Sequence, residues 1–166
     1  MATTILIKND ELTRNTILGG NIDVDRYLSS IKACQNTYVK PLLGSVLYNK
    51  ISVDFENDDL EGLYLTLYED YVKELVIHGS AEIYLTNGAY MVSNNGITKM
   101  KSDSAETVSK EELDFLVQSS KKLYALYERE FFKWIKENPL PEYPIESTPS
   151  KRNINIGGWV LRRKNC

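Results

Sequence analysis

The sequence between Asp58 and Gly88 predicts one long helix, which limits the possible folds more than any other feature of the chain. Its apolar side chains recur at helical spacing: Leu60, Leu63, Tyr64, Leu67, Tyr68, Tyr71, Val72, Leu75, Val76, Ala81, Ile83, Tyr84 and Leu85. Asp58 or Asp59 can cap the start, and Asn87-Gly88 supplies the left-handed residue that ends a helix. At ~1.5 Å per residue the helix is roughly 40 Å long. Its apolar stripe broadens toward the C-terminal half, which predicts several covering neighbours.

The whole pattern predicts a mainly α fold, a helical bundle around this long central helix, with a small β-hairpin and extended N- and C-terminal arms. A first helix is expected from Asp23 to about Tyr38. A tight corner is expected at 41–44, because the ring of Pro41 is disfavoured deep inside a helix. A second helix from Ser45 to about Val53 follows. The side chains expected on its inward face are Val46, Leu47 and Ile51.

A hairpin and a last helix follow the central helix. The hairpin is expected at about residues 89–101, because Asn95-Gly96 suits the positive dihedral angles of a tight turn. Ser109, with Glu112 three residues later, forms a capping box that opens a helix to about Asn138. The side chains expected on the inward face of that helix are Leu113, Leu116, Val117, Ser120, Leu123, Tyr124, Tyr127, Phe131, Trp134 and Ile135.

Both ends of the chain are expected to form arms. Ile5-Leu6-Ile7 predicts a short apolar strand or extended arm, and four prolines between 139 and 149 prohibit a regular helix. We therefore divide the chain into a helical domain, residues 1–138, and an extended, proline-rich basic arm, residues 139–166. The first eight residues do not have the pattern of a signal peptide, and no apolar run approaches the ~20 residues of a membrane span.

Charge is distributed unevenly along the sequence. Residues 1–150 carry a net charge of −8, whereas the last sixteen residues carry +5 and no acidic side chain. An acidic body with a basic tail can pair with its own neighbours, with a different acidic protein or with nucleic acid. The body itself is expected to bind DNA poorly.

The sequence offers little chemistry for catalysis. His78, the single histidine, stands with Glu74 and Glu82 in an i, i+4, i+8 row that could hold a metal, but no second histidine or cysteine supports such a site. The alternative, a half-buried helix histidine between two carboxylates, is favoured. Cys34 and Cys166 are too far apart in sequence to suggest a paired motif, and no phosphate-binding loop or nucleophile elbow occurs. The chain is predicted to be neither an enzyme nor a cofactor-binding protein.

The C-terminal arm is the strongest local anomaly. It carries apolar residues beyond the last helix, among basic ones, and a monomer has no obvious use for so many there. The alternatives are a disordered basic end and an arm that docks on a neighbouring subunit or partner, which we favour because of Trp159. The predicted interface residues are Ile154, Ile156, Trp159, Leu161, Arg162 and Arg163.

One stretch of the sequence resembles a known class of proteins. It runs from Gly20-Asn21-Ile22-Asp23 through Ile31-x-x-Cys34-Gln35 and Pro41-Leu42-Leu43-Gly44 to Leu47-Tyr48-x-x-Ile51. This order resembles the small head-to-tail connector proteins of tailed bacteriophages, especially the ring proteins of crAss-like phages that infect Bacteroides. The likeness covers about residues 4–137 and leaves the C-terminal arm outside.

The resemblance implies a structural virion protein. Such proteins form a dodecameric ring under the portal, extend the DNA channel and offer a platform for the next neck or tail component. It therefore implies a location at the neck of the virion, after synthesis in the cytoplasm of the host bacterium. DNA would pass through without sequence-specific binding, and no membrane would be involved.

Two other functions remain open at this stage. A DNA-binding or packaging factor could use the basic tail, with Trp159 stacking on bases and Arg162 and Arg163 on phosphates. A metal-dependent hydrolase would have to use the row around His78.

Overall fold

The computed structural model describes residues 4–8, 10–18, 24–87, 90–93, 96–99 and 109–144. The mainly α prediction is confirmed. In chain order the helical elements are α1 (Glu11–Asn15), α2 (Val24–Cys34), the π-helical segment π1 (Gln35–Val39), α3 (Lys40–Leu43), α4 (Ser45–Glu56), α5 (Gly62–Leu67), the π-helical segment π2 (Tyr68–Val72), α6 (Lys73–Asn87) and α7 (Lys110–Glu137). Strands β1 (Tyr90–Ser93) and β2 (Gly96–Lys99) pair antiparallel in the range where the sequence predicts a hairpin.

The central helix is continuous but begins later than predicted. It runs through α5, π2 and α6, from Gly62 to Asn87. Asp58 and Asp59 do not cap it: Asp58 has a φ of 61°, and the Asp59 N–H donates to the carbonyl of Asp54. These two residues therefore terminate α4, which extends to Glu56, and the predicted start at Asp58 is wrong.

Pro41 does not make the predicted corner. It lies inside a continuous helical run from Val24 to Leu43, directly after π1. The N–H of Lys40 donates to the carbonyl of Gln35, five residues back. The wider π turn shifts the hydrogen-bond register just before the proline, which has no N–H to contribute. The chain turns only at Gly44, whose φ of 76° favours glycine, and α4 starts there.

The middle of α6 is the centre of the bundle. Seven successive residues of α6, from Leu75 to Ala81, are buried, so neighbours surround the helix there, as the broad stripe predicts. α7 runs antiparallel to α6, because Trp134 lies against Tyr71 and Tyr127 lies against His78, with ring centroids 5.6 and 5.5 Å apart.

A glycine lets α2 approach α6 closely. A Cβ placed on Gly79 would lie 2.5 Å from Cys34 Sγ and 3.1 Å from Cδ2 of Tyr124 on α7. Any larger residue at position 79 would push these helices apart. Three elements of the bundle therefore meet at this single position.

The N-terminal segment belongs to the core of its own chain. Leu6 and Ile7 are buried. The buried side chain of Gln35 accepts a hydrogen bond from the Leu6 N–H (3.0 Å) and donates to the carbonyl of Thr4 (2.8 Å), and the Tyr68 hydroxyl donates to the Leu6 carbonyl (3.0 Å). Residues 4–7 therefore pack between π1 and the central helix and do not project as an arm.

The C-terminal chain also stays on the body longer than predicted. Leu140 is buried, and the ring of Tyr143 packs edge-on against Phe131 at 5.6 Å. The hydroxyl of Tyr64 donates to Glu142 at 2.7 Å. The domain boundary expected after residue 138 is therefore wrong for residues 139–144, which are part of the helical body.

Side-chain burial follows the predicted faces with a few exceptions. Leu47 and Ile51 are fully buried, whereas Val46 is 64% exposed, so its inward placement is wrong. Leu63 at 45% and Leu123 at 39% are exposed as well. The capping box is confirmed: Ser109 Oγ accepts from the Glu112 N–H, and the Glu112 carboxylate accepts from the Ser109 N–H.

We expect Gly79→Ala to destabilise the protein by about 2 kcal/mol, because the new methyl group overpacks the contact with Cys34. Cys34→Ala makes room at the same place. In urea unfolding, the double variant should lose at least ~1 kcal/mol less than the sum of the single losses. Strictly additive losses would contradict the close helix contact.

We expect Gln35→Leu to cost about 3 kcal/mol, because it leaves the buried N–H of Leu6 and the carbonyl of Thr4 without their partners. The measurement is the free energy of unfolding in urea. Gln118→Leu on the exposed side of α7 is the matched control and should change it by no more than ~0.5 kcal/mol. Equal effects of the two variants would rule out this role of Gln35.

Candidate interaction surfaces

The predicted interface residues Ile154, Ile156, Trp159, Leu161, Arg162 and Arg163 lie outside the described residues. The structure therefore gives no geometry for them. What it gives is the surface of the body on which such a segment, or another subunit, would have to bind.

The row around His78 does not assemble a metal site. His78 is buried, its ring stacks on Tyr127, and its Nε2 lies 3.5 Å from a carboxylate oxygen of Glu74. Burial raises the pKa of Glu82, and the positive charge of Lys121 partly offsets this increase. Within the described residues, no group of three or more His, Cys, Asp or Glu side chains could hold a metal ion. The favoured alternative, a half-buried helix histidine between two carboxylates, agrees with this geometry for Glu74, but His78 is buried and not half-buried.

Cys34 is placed for packing. Its side chain is fully buried, and its Sγ lies 3.7 Å from the carbonyl of Leu75. Burial raises the pKa of the Cys34 thiol from 9.0 to about 12. A nucleophile needs the thiolate form, which burial disfavours here.

A groove lies where the end of α1 meets α6 and α7. We name it the α1–α7 groove; its volume is about 320 Å³, and its lining residues are Arg14, Asn15, Thr16, Ile17, His78, Leu116, Ser119, Ser120 and Leu123. Ile17 is 59% exposed, and Leu123 adds an exposed apolar side chain from α7. Two turns away on α7, Phe115 is 70% exposed. This part of the surface is therefore apolar as well as polar.

A second, smaller depression lies beside α5. We name it the Leu65 cleft; its volume is about 140 Å³, and it is lined by Lys8, Glu11, Phe55, Asp58, Leu60, Leu65, Tyr68 and Glu69. Leu65 is 42% exposed and forms apolar surface together with Phe55 and Leu60. The charged residues of the cleft are three acidic ones, Glu11, Asp58 and Glu69, and one basic one, Lys8.

Sequence reasoning missed the Leu65 cleft. The five carboxylates from Asp54 to Glu61 indicate a solvated connector before the central helix. Leu65 falls outside the apolar stripe of the predicted helix, so the periodicity of the sequence did not indicate an apolar surface at this residue. The turn at Asp58 and the packing of Phe55 against Tyr68 at 5.1 Å bring the apolar side chains to the edge of the acidic segment.

Among the residues that the structure describes, no helix is both long enough and apolar enough to cross a membrane.

Comparison with known sequences places the chain in a family. The profile of one family, described as a family of unknown function (DUF6712), matches residues 39–153. The chain belongs to the DUF6712 family. The matched range starts at the end of π1, includes α3 to α7 and passes the predicted boundary at 138 without a break. The six predicted interface residues lie beyond it. No curated protein and no solved structure matches the chain.

We expect the buried Cys34 thiol to make stability depend on alkaline pH. Its folded pKa of about 12 exceeds its usual value of 9.0, so its contribution is complete below pH 9 and is lost as the pH rises toward 12. The free energy of unfolding should therefore fall more steeply over that window in the wild type than in Cys34→Ala. Parallel curves would contradict the raised pKa.

Proposed function

We propose that this chain is a structural virion protein that forms an oligomeric ring between the portal and the tail of a tailed bacteriophage. The ring extends the DNA channel and joins head to tail, and the protein has no catalytic activity. Its partners are further copies of itself, the portal protein and the next neck or tail ring protein. The resemblance of residues 4–137 to connector proteins of crAss-like phages supports this function, as does the mainly helical body.

The observation that carries the proposal is that the part of the body described by the structure has apolar surface at separate places, among them the α1–α7 groove and the Leu65 cleft. The α1–α7 groove includes His78, and the Leu65 cleft lies thirteen residues earlier on the same continuous helix. At ~1.5 Å per residue the two surfaces are roughly 20 Å apart. A ring joins unlike surfaces of successive subunits, whereas a two-fold dimer uses one surface twice.

The charge of the body suits passage of DNA. Segment 51–72 carries seven carboxylates without a basic residue, and Asp58, Asp59, Glu61, Glu69 and Asp70 are exposed. Carboxylates facing a channel repel phosphates, so DNA would slide without sequence-specific binding.

A second candidate, a DNA-binding or packaging factor, rests on the basic tail. Residues 151–166 contain five basic side chains and no acidic one. Retention of labelled DNA at moderate salt, lost when residues 151–166 are removed, would favour this function over the connector.

The decisive experiment is native mass spectrometry and electron microscopy of the purified protein, alone and with the portal protein of the same phage. We expect a closed ring, formed by the protein itself or on the portal. A protein that stays monomeric and joins neither portal nor virion would overturn the proposal.

We expect the C-terminal arm to stabilise the assembly through Trp159. Large aromatic side chains often dominate interface energies, so Trp159→Ala should cost ~2 kcal/mol or more of assembly free energy, whereas Trp159→Phe should lose less. The measurement is the concentration dependence of ring formation. Equal assembly of Trp159→Ala and wild type would show that the arm has no such role.

Deletion of residues 151–166 should leave the helical content nearly unchanged and weaken assembly. The deletion spares Leu140 and Tyr143, which pack on the body. Circular dichroism and native mass spectrometry report the two effects separately. Loss of helical signal would mean that the deleted segment belongs to the core of its own chain.

A further inference from the structure

The Leu65 cleft combines apolar surface with an excess of negative charge, because Glu11, Asp58 and Glu69 line it beside one basic residue, Lys8. Leu65 is exposed on one side of α5, and the buried ring of Tyr68 lies on the next turn. Glu69 is paired with Lys73, but the Asp58 carboxylate makes no ion pair with any described residue. An occupant that suits this cleft is apolar where it meets Leu65 and basic where it meets the carboxylates.

The C-terminal segment of the chain has these properties in order. Residues 159–164 read Trp-Val-Leu-Arg-Arg-Lys, three apolar side chains followed by three basic ones. We propose that this segment of a neighbouring copy binds in the Leu65 cleft. This inference rests on the proposed ring and adds the surface that receives the arm. The apolar residues supply the buried contact, and the basic residues orient the segment against the acidic rim.

The place where the described chain ends allows the C-terminal segment to reach a neighbouring subunit. The hydrogen bond between Tyr64 and Glu142 holds residues 139–144 beside α5, close to the cleft of the same subunit. Residues 145–158 can span up to about 50 Å when extended. The diameter of a folded chain of this size is roughly 40 Å. The connecting segment is therefore long enough to reach the cleft of the next subunit.

Disulfide cross-linking between full-length chains tests the contact. One variant carries Leu65→Cys and the other carries Val160→Cys, both with Cys166→Ser, while the buried Cys34 thiol stays protected. On mixing and mild oxidation, we expect a disulfide-linked heterodimer, since a disulfide forms only when the two Cα atoms come within ~7 Å. Mass spectrometry identifies the joined peptides.

Leu63→Cys is the matched control, because Leu63 is as exposed as Leu65 but does not line the cleft. We expect at least tenfold less heterodimer with it. Equal yields from both positions, or no heterodimer at all, would overturn the inference. A chain that carries both Leu65→Cys and Val160→Cys and gives only an intrachain link would show that the tail fills its own cleft, which also overturns it.

Native mass spectrometry of the same samples separates this inference from the proposed function. Closed rings without a cross-link at position 65 would agree with the proposed connector function. They would also show that the C-terminal segment does not bind in the Leu65 cleft. A specific cross-link in a protein that forms no ring, alone or on the portal, would support the cleft and overturn the ring.

Substitution of Leu65 by a charged residue tests the same contact without introducing cysteines. Leu65→Lys should lower the population of assembled protein at least tenfold, whereas Leu63→Lys, which adds the same charge two residues away, should change it less than threefold. Equal effects of the two variants would overturn the inference.

Discussion

The close approach of α2 to α6 at Gly79 is the contact on which the rest of the bundle depends. Because position 79 has no side chain, Cys34 and the ring of Tyr124 can both lie against the backbone of α6. α2 and α7 are thereby fixed on the central helix, and seven successive residues of that helix are buried. The α1–α7 groove, which lies between α1, α6 and α7, takes its position from this arrangement.

Local signals predicted much of the fold. The capping box at Ser109 and the burial of Leu47 and Ile51 follow from hydrogen-bond chemistry and periodicity, which depend on near neighbours alone. The predictions of a corner at Pro41 and of a helix start at Asp58 were wrong for a physical reason. A π turn admits a proline within a continuous helix, and the left-handed backbone of Asp58 ends one helix before the next begins. Neither conformation has a recognisable pattern in a single sequence.

The candidate surfaces were harder to predict. Composition identifies the basic, apolar tail, because charge and aromatic content can be counted without a fold. The Leu65 cleft depends on how Phe55 on α4 meets Tyr68 on the central helix, a contact set by the turn between them. The position of the N-terminal segment also depends on tertiary contacts and could not be predicted from the sequence. Gln35 and Tyr68 each start a π segment and together hold Leu6, and this placement follows from tertiary packing.

Charge connects the proposed ring with the proposed binding of the C-terminal segment in the Leu65 cleft. In the proposed ring, neighbouring acidic bodies would repel each other, since each carries −8 over residues 1–150, whereas each tail brings +5. A tail that binds in the Leu65 cleft of the next subunit would place positive charge beside the carboxylates of that cleft. At physiological salt, charges more than ~8 Å apart are largely screened, so close contacts between arginines and carboxylates outlast the repulsion between bodies. Carboxylates that remain uncovered still repel DNA, so the same acidic segment can serve both assembly and passage.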